Sequence, residues 1–523
     1  MRRIRRENGC HRVEQVPGEN SRHLTMKSPK QRTIELAVLA LFWLLVLVGR
    51  ASDQRELGRR IEDRLKEGKG REANWGIEVR KLSSGCVLFA TNEHRLFTPA
   101  SNMKLVVVAA ALNRLGADFR IKTSLQTGGR LRRGGELDGG LVVVGYGDPS
   151  FLDGRRGEDG TKMEQLVEEV RKLGIRRIRR GLGADESYFR GSNYGKGVAW
   201  EDLQTRYGAA AGVLNINDNY VELQIRGGER QGERAVVEDG IELSLFDIEN
   251  RVRTVDSKEK ASVTAERRPG EKLLTLKGTI PERGEAMVWV SVPDATQYFL
   301  ESLRRALIRK GVRVDREKGQ RKKDTMKSSN RRELVVHYSE SLGELIKEVQ
   351  KNSNNLHAQL LLLVMGAEAD QNPNELEKGW PRAETTEESG IRVVNEFLAK
   401  AGVVTNEVRI TEGAGLSREN YLSPAAIVQL LRYMDQHSGA EAWREALPVA
   451  GEEGTLKNRM REGLAVRNIR AKTGTLRNIS ACSGYGTNAA GERVAFSILV
   501  NGYPGTSREA NLEIDRIVEE IIH

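Results

Sequence analysis

Ser101-Asn102-Met103-Lys104 and Ser353-Asn354-Asn355 stand about 250 residues apart, far beyond the length of a loop in a compact domain. A third short motif, Lys472-Thr473-Gly474, follows near the C-terminus. Each is weak alone, because such short patterns recur by chance in a chain of this length. In this order they supply a serine beside a lysine, a serine beside an amide, and a cation beside a glycine. If they serve one site, the intervening chain must fold separately and the residues on either side of it must close into one domain. The expected organisation is a catalytic domain from residues 52–118 and 337–523. Residues 119–336 are then an inserted region, read as two nested β-rich domains with the inner one at about residues 217–295.

Local patterns support that division. Residues 53–67 read as an amphipathic helix. GIEVR at 76–80 and CVLFA at 86–90 flank Ser83-Ser84-Gly85 and predict a β-hairpin. The run KLVVVAAALNRL, opened by Pro99-Ala100-Ser101, is apolar nearly all round and predicts a buried helix. Inside 119–336, strand-like stretches such as Leu141–Val144 alternate with Gly- and Arg-rich turns, and 296–311 reads as a helix. A basic stretch, Arg316–Arg332, reads as a solvated loop. Ser341 with Glu344, and Thr506 with Glu509, have capping-box spacing and predict helix starts. A helix is expected from Leu356 to Glu368. Arg467–Thr475, Ser480–Gly486 and Arg493–Val500 read as an antiparallel meander. Leu512, Ile514, Ile517, Val518 and Ile521 give the last helix a face suited to packing on a sheet. The fold class is α/β (α+β), an antiparallel sheet flanked by helices.

With 38% hydrophobic and 30% charged residues, the chain is globular and not disordered. Residues 1–51 carry six of the eleven net positive charges, so the basic balance is largely a property of the leader. No basic platform with interleaved aromatics and no zinc-finger spacing points to nucleic acid. The run Leu36–Gly49, preceded by Lys27, Lys30 and Arg32, has the proportions of a signal-peptide core, with a cleavage site near Gly49-Arg50-Ala51. Met26 just before that flank is the expected true start, and an uncleaved leader would anchor the protein to the membrane. Cys10 leaves with the leader, and Cys86 and Cys482 are read as two buried thiols in strands, their pairing undecidable from sequence. No Cys/His cluster has metal-ligand spacing, so neither metal nor cofactor is expected.

The motifs specify chemistry. A serine hydroxyl needs a base to attack at neutral pH. Lys104, one helical turn after Ser101, shares its face, and burial would favour the neutral amine a base requires. Ser353 can pass a proton between Lys104 and a leaving amine, and Asn355 can direct its amide at a substrate backbone. Lys472-Thr473-Gly474 sits in a strand pattern whose edge suits an extended peptide. Gly474 lets substrate approach, and Lys472 with the Thr473 and Thr475 hydroxyls suits a terminal carboxylate. The backbone amides of Ser101 and Thr475 would form an oxyanion hole. Each motif also has a bland reading: a serine cap, a turn, an exposed strand end.

Further segments tip that balance: Phe97-Thr98-Pro99-Ala100-Ser101 running into Lys104-Leu105, and Gly147-Asp148-Pro149 in the insertion. Gly413-Ala414-Gly415-Leu416-Ser417-Arg418, Leu447-Pro448, Ala450-Gly451, Gly454-Thr455-Leu456 and Ala471-Lys472-Thr473-Gly474-Thr475-Leu476 follow. Across roughly residues 70–500 the chain resembles the D-alanyl-D-alanine carboxypeptidase/endopeptidase family, the class C low-molecular-mass penicillin-binding proteins. The resemblance implies a serine β-lactamase/DD-transpeptidase-like domain with nested insertions. It implies Ser101, Lys104 and Ser353 as catalytic groups, and Asn355, Lys472, Thr473, Gly474 and Thr475 as substrate-binding groups. The implied partners are peptidoglycan stem peptides and cross-bridges, with β-lactams as covalent inhibitors, in the periplasm or another extracytoplasmic space. Asn354 departs from the family's acidic middle residue, and Glu412 and Ala414 depart from its Asp-Gly-Ser-Gly pattern. The competing functions are a β-lactamase- or esterase-like hydrolase, against which the long insertion counts, and a non-catalytic cell-wall binding protein, against which the intact Ser101, Lys104 and Lys472 count.

Overall fold

Five strands bring the two ends of the chain together. The computed structural model describes residues 55–153, 160–238, 245–315, 330–372 and 383–523. Residues 1–54, with Cys10, Met26 and the expected signal segment, and most of the basic stretch Arg316–Arg332 lie outside the described residues. Leu57–His523 form one unit; of the separate unit Met1–Glu56 only residues 55 and 56 are described, both helical, in a helix that runs to residue 65. The sheet has the order Val87–Thr91, Asn74–Lys81, Arg493–Asn501, Ile479–Thr487, Arg470–Leu476 and is antiparallel throughout. Trp75 pairs with Val500 and Val79 with Phe496, so the strand before the first motif is zipped to the last strand of the chain.

Period-two alternation divides this sheet between two cores. Val494, Phe496, Ile498 and Val500 pack with Ile61, Ile514, Ile517 and Ile521 under the helix Ser507–Ile522. Ala495 and Leu499 face the other way, onto the helices. There the helix Met103–Leu115 lies at the centre, buried from Met103 through Leu112, as a helix apolar all round must be. Leu342–Lys351, Asn355–Gln371, Thr386–Lys400 and Pro424–Asp435 pack in the same core.

The hairpin, the central helix, the meander and the Thr506/Glu509 capping box all form as their patterns predict. Three local expectations do not, the first being Leu512, which is 49% exposed and off the face on which Ile514, Ile517, Val518 and Ile521 are buried. Ser341 does sit at a helix N-cap, but its side chain makes no cap hydrogen bond, and Glu344 accepts from Lys347 at 2.7 Å instead. Cys86 is exposed and precedes its strand: its amide donates to Ser84 Oγ at 3.2 Å, which holds it in the turn. Cys482 is buried in the sheet as expected, and both thiols are free.

The chain leaves the helical layer through the strand Lys122–Thr127 and returns through Arg332–Tyr338. These two are antiparallel neighbours in a four-stranded sheet completed by Leu141–Gly145 and Leu182–Asp185. The last two strands run parallel, and the helix Lys162–Lys172 lies between them in sequence. A second helix, Ala295–Arg309, packs with it. Two further sheets draw all their strands from between Tyr220 and Ser291. Leu125, Val143, Leu166, Val221, Leu274, Phe299 and Leu303 share one core, separate from the two that cover the five-stranded sheet.

Candidate active site

The nucleophile motif lies on a strained turn. Ala100–Asn102 form a short 3₁₀ segment that runs into the helix Met103–Leu115, and Ala100 has φ +46°. A non-glycine residue in that region is held there by its surroundings. The turn leaves Ser101 half-buried and sends Lys104 into the interior, where it is fully buried. Lys104 Nζ lies 2.8 Å from Ser101 Oγ, 2.6 Å from Asn355 Oδ1 and 2.5 Å from the Ala414 carbonyl oxygen. Burial lowers its pKa to about 7, against the pull of the Glu412 carboxylate, which favours the charged form. Two of its three neighbours are carbonyl oxygens that can only accept. A neutral amine therefore gives them its two protons and has its lone pair left for the serine hydroxyl.

The second motif ends one helix and starts another. Ser353 has φ +58°, again a left-handed residue at the site. Asn354 caps the helix Asn355–Gln371, accepting from the His357 amide, and donates to Asp218 Oδ1 at 3.1 Å. Both ends of the Asn355 amide are engaged by the protein, with Oδ1 on Lys104 and Nδ2 donating to the Tyr207 carbonyl at 2.9 Å. Asp218 and Tyr207 belong to the inserted segment, so that segment reaches the catalytic helix directly.

The third motif lies on the edge strand Arg470–Leu476. Lys472 is fully buried and donates to Ser353 Oγ and to the Thr473 carbonyl, each at 2.9 Å. Burial, and then the nearby Lys104 charge, push its pKa well below the ordinary lysine value. Thr475 is exposed, whereas Thr473 is largely buried and its hydroxyl donates to Thr455 Oγ1 at 2.7 Å. Gly474 has a more local reason than substrate access. A Cβ there would lie 3.0 Å from the Ser101 amide nitrogen and 2.9 Å from the Pro99 carbonyl oxygen. Any side chain would press on the amide assigned to the oxyanion hole.

The eight residues given site roles therefore lie at one place, between the edge strand and the ends of two helices. Several residues that complete the place had no assigned part in the motif reading. Asn102, inside the first motif, is buried and donates to the Lys472 carbonyl at 3.2 Å, which ties the nucleophile helix to the edge strand. Thr455 belongs to a quoted segment without a role. Tyr207 and Asp218 carry no signal in the sequence, because only the folded insertion brings them here. Beside the edge strand, Arg95, Arg418 and Arg477 help line a depression of about 620 Å³ with Thr98 and Asn501. Among the described residues no His/Cys/Asp/Glu group is arranged to hold a metal ion.

A model of the D-Ala-D-Ala carboxypeptidase 3 (S13) family matches residues 57–521. The chain is 30% identical over 487 residues to the D-alanyl-D-alanine carboxypeptidase of Actinomadura sp. (strain R39), covering 90% of this chain and 86% of that protein. It is 25% identical over 452 residues to D-alanyl-D-alanine carboxypeptidase DacB of Haemophilus influenzae, covering 85% and 88%. In three dimensions it is similar to the crystal structure of penicillin binding protein 4 of Haemophilus influenzae, with a TM-score of 0.73 at 24% identity, over 88% of this chain and 98% of that one.

Proposed function

The chain belongs to the D-Ala-D-Ala carboxypeptidase 3 (S13) family, and from that premise we propose that Ser101 is its nucleophile and Lys104 the base that activates it. The protein is a serine DD-peptidase of peptidoglycan. The observation that carries the residue assignment is the 2.8 Å approach of Lys104 Nζ to Ser101 Oγ, with carbonyl oxygens at the amine's other two contacts.

In this reading Ser101 Oγ attacks the carbonyl carbon between two D-alanines and its proton passes to Lys104 Nζ. The oxyanion lies between the amides of Ser101 and Thr475, and Gly474 keeps the first of them open. The C–N bond then breaks and the departing amine takes, through Ser353, the proton that Lys104 received, while Lys472 holds Ser353 in place by a hydrogen bond. Water hydrolyses the ester on Ser101, returning the carboxylate and the free serine. A stem peptide pairs with the edge strand, and its N–H takes the second lone pair of Asn355 Oδ1. The terminal carboxylate meets the Thr475 hydroxyl, and the Thr473 hydroxyl once it turns from Thr455, with Lys472 behind Ser353. The three arginines beside the strand suit a substrate rich in carboxylates. A β-lactam carries the same carboxylate and acylates the same serine. D-Ala release and cross-link hydrolysis share this acyl-enzyme and differ only in the amine that leaves.

We assign residues 52–118 and 337–523 to the catalytic domain and 119–336 to the nested insertion, on the grounds of the separate cores and the paired entry and exit strands. Peptidoglycan lies outside the cytoplasmic membrane, so the protein acts there, and the leader within residues 1–51 is the proposed means of export. Among the described residues no helix is long and apolar enough to cross a membrane.

The test is product mass. Wild-type protein given a stem pentapeptide ending in D-Ala-D-Ala should yield the tetrapeptide and free alanine, and cross-linked dimers from purified peptidoglycan should yield monomers if the bridging amine also leaves. Ser101→Ala should yield neither. Release of D-alanine by Ser101→Ala at the wild-type rate would overturn the assignment.

A further inference from the structure

Glu412 is 1% exposed, and a carboxylate that deep needs a strong set of donors. It has five. Oε1 accepts from the amides of Gly415, Leu416 and Ser417 at 2.6, 2.8 and 3.2 Å and from Asn420 Nδ2 at 2.7 Å, while Oε2 accepts from the Ala414 amide at 2.6 Å. Successive backbone N–H groups wrapped around one anion hold a loop in a single shape. This loop touches both members of the first motif. The Ala414 carbonyl accepts from Lys104 at 2.5 Å. Gly415, at φ +84°, packs so tightly on the nucleophile turn that a Cβ would lie 2.1 Å from the Ala100 carbonyl oxygen and 3.1 Å from the Ser101 nitrogen.

We propose that Glu412 is a positioning residue for acylation: by clamping residues 412–417 it holds the Ala414 carbonyl against Lys104 and so aims the amine's lone pair at Ser101. The proposal rests on Lys104 as the base. With the loop slack, Lys104 Nζ would lose one of its two carbonyl partners and turn away from the hydroxyl. Reacting groups misplaced by about 1 Å can cost about 100-fold in rate.

The same carboxylate also acts through its charge. Lys104 faces Glu412 on the loop, whose charge raises its pKa, and Lys472 on the edge strand, whose own pKa the Lys104 charge lowers. Behind Glu412 lies Glu387, which accepts from Gln359 Nε2 at 2.7 Å, while Gln359 Oε1 accepts from the Gly413 amide at 2.8 Å. Glu412 favours the protonated lysine, so removing its charge moves the proton loss of Lys104 to lower pH. A residue that only stabilised the fold would slow acylation without displacing its pH dependence.

The experiment follows acylation by a fluorescent penicillin in stopped flow, from about pH 5 to 9, for wild type, Glu412→Gln and Glu412→Asp, with thermal unfolding of each. Glu412→Gln should acylate about tenfold to 100-fold more slowly at the wild-type optimum. The rising limb of its rate against pH should lie lower by roughly half a unit or more. Glu412→Asp keeps the charge and withdraws it by one methylene, so its limb should stay in place and its rate should fall between the other two. Either variant acylating at the wild-type rate overturns the proposal, as does a slowed Glu412→Gln with an unmoved limb. If Glu412→Gln does not fold, the rate of Glu412→Asp decides. Lys104→Ala is the separate control: normal acylation there removes the base assignment itself, whatever the Glu412 variants do.

Discussion

With Lys104 as the proposed base and burial lowering its pKa to about 7, Ser101 increasingly faces an ammonium group as pH falls through that value. Burial depresses the lysine, so the competent neutral form grows as pH rises. The acylation rate should therefore climb through about pH 7 and level off above it, read from penicillin labelling at short times across a pH series. A limb centred near the ordinary lysine value would show that Lys104 is not desolvated in solution. Gly474 gives a second residue-scale test. A methyl group there is forced against the Ser101 amide, so Gly474→Ala should lose about 10²–10³ in acylation rate, the usual effect of one oxyanion donor. Because the obstruction is local, the thermal transition should move little by comparison. A variant that labels at the wild-type rate would place the oxyanion elsewhere.

At the scale of elements, the site is a junction between the nucleophile helix and the edge strand, and Asn102 is the hydrogen bond across it. Asn102→Ala leaves the Lys472 carbonyl without that donor, a loss of about 1–3 kcal/mol for a buried group. Unfolding temperature and acylation rate should fall together, since the first and third motifs are no longer tied; a drop in stability with acylation unchanged would separate the two. The elements themselves were legible because their periods are clean: alternation in the meander, an apolar run in Met103–Leu115, Thr506 and Glu509 at the last helix. Cys86 and Ser341 were misread where one side chain chose between two partners. Ser84 holds Cys86 in the turn, and Lys347 takes the carboxylate that would have closed the cap on Ser341. A pattern in sequence names the candidates for such a bond but not the winner.

At the scale of the whole molecule, the segment between the first two motifs touches the second motif. Asp218 accepts from Asn354 and faces His357 Nε2 at 3.1 Å, and the Tyr207 carbonyl holds Asn355. Asp218→Ala should slow acylation by roughly 2- to 30-fold, the range of 0.5–2 kcal/mol for coupling through a packed network, although Asp218 lies outside the domain that carries the motifs. Kinetics indistinguishable from wild type would reduce the insertion to a neighbour. In the sequence, the region between the first two motifs shows through its length and its alternation of strand-like stretches with Gly- and Arg-rich turns. Its parallel strand pair around Lys162–Lys172, and the contacts of Tyr207 and Asp218, depend on residues far apart in the chain and leave no local pattern to read. The burial of Lys472 left no local pattern either: a strand pattern gives alternation, and only the tertiary fold decides that this lysine is covered.

The central claim is that one serine is acylated at a site assembled from both ends of the chain. The direct measurement is brief exposure of the intact protein to penicillin, followed by proteolysis and mass mapping of the adduct. One adduct is expected, on Ser101, strongly reduced in Lys104→Ala and absent in Ser101→Ala. An adduct on any other residue, or one that persists in Ser101→Ala, would contradict it.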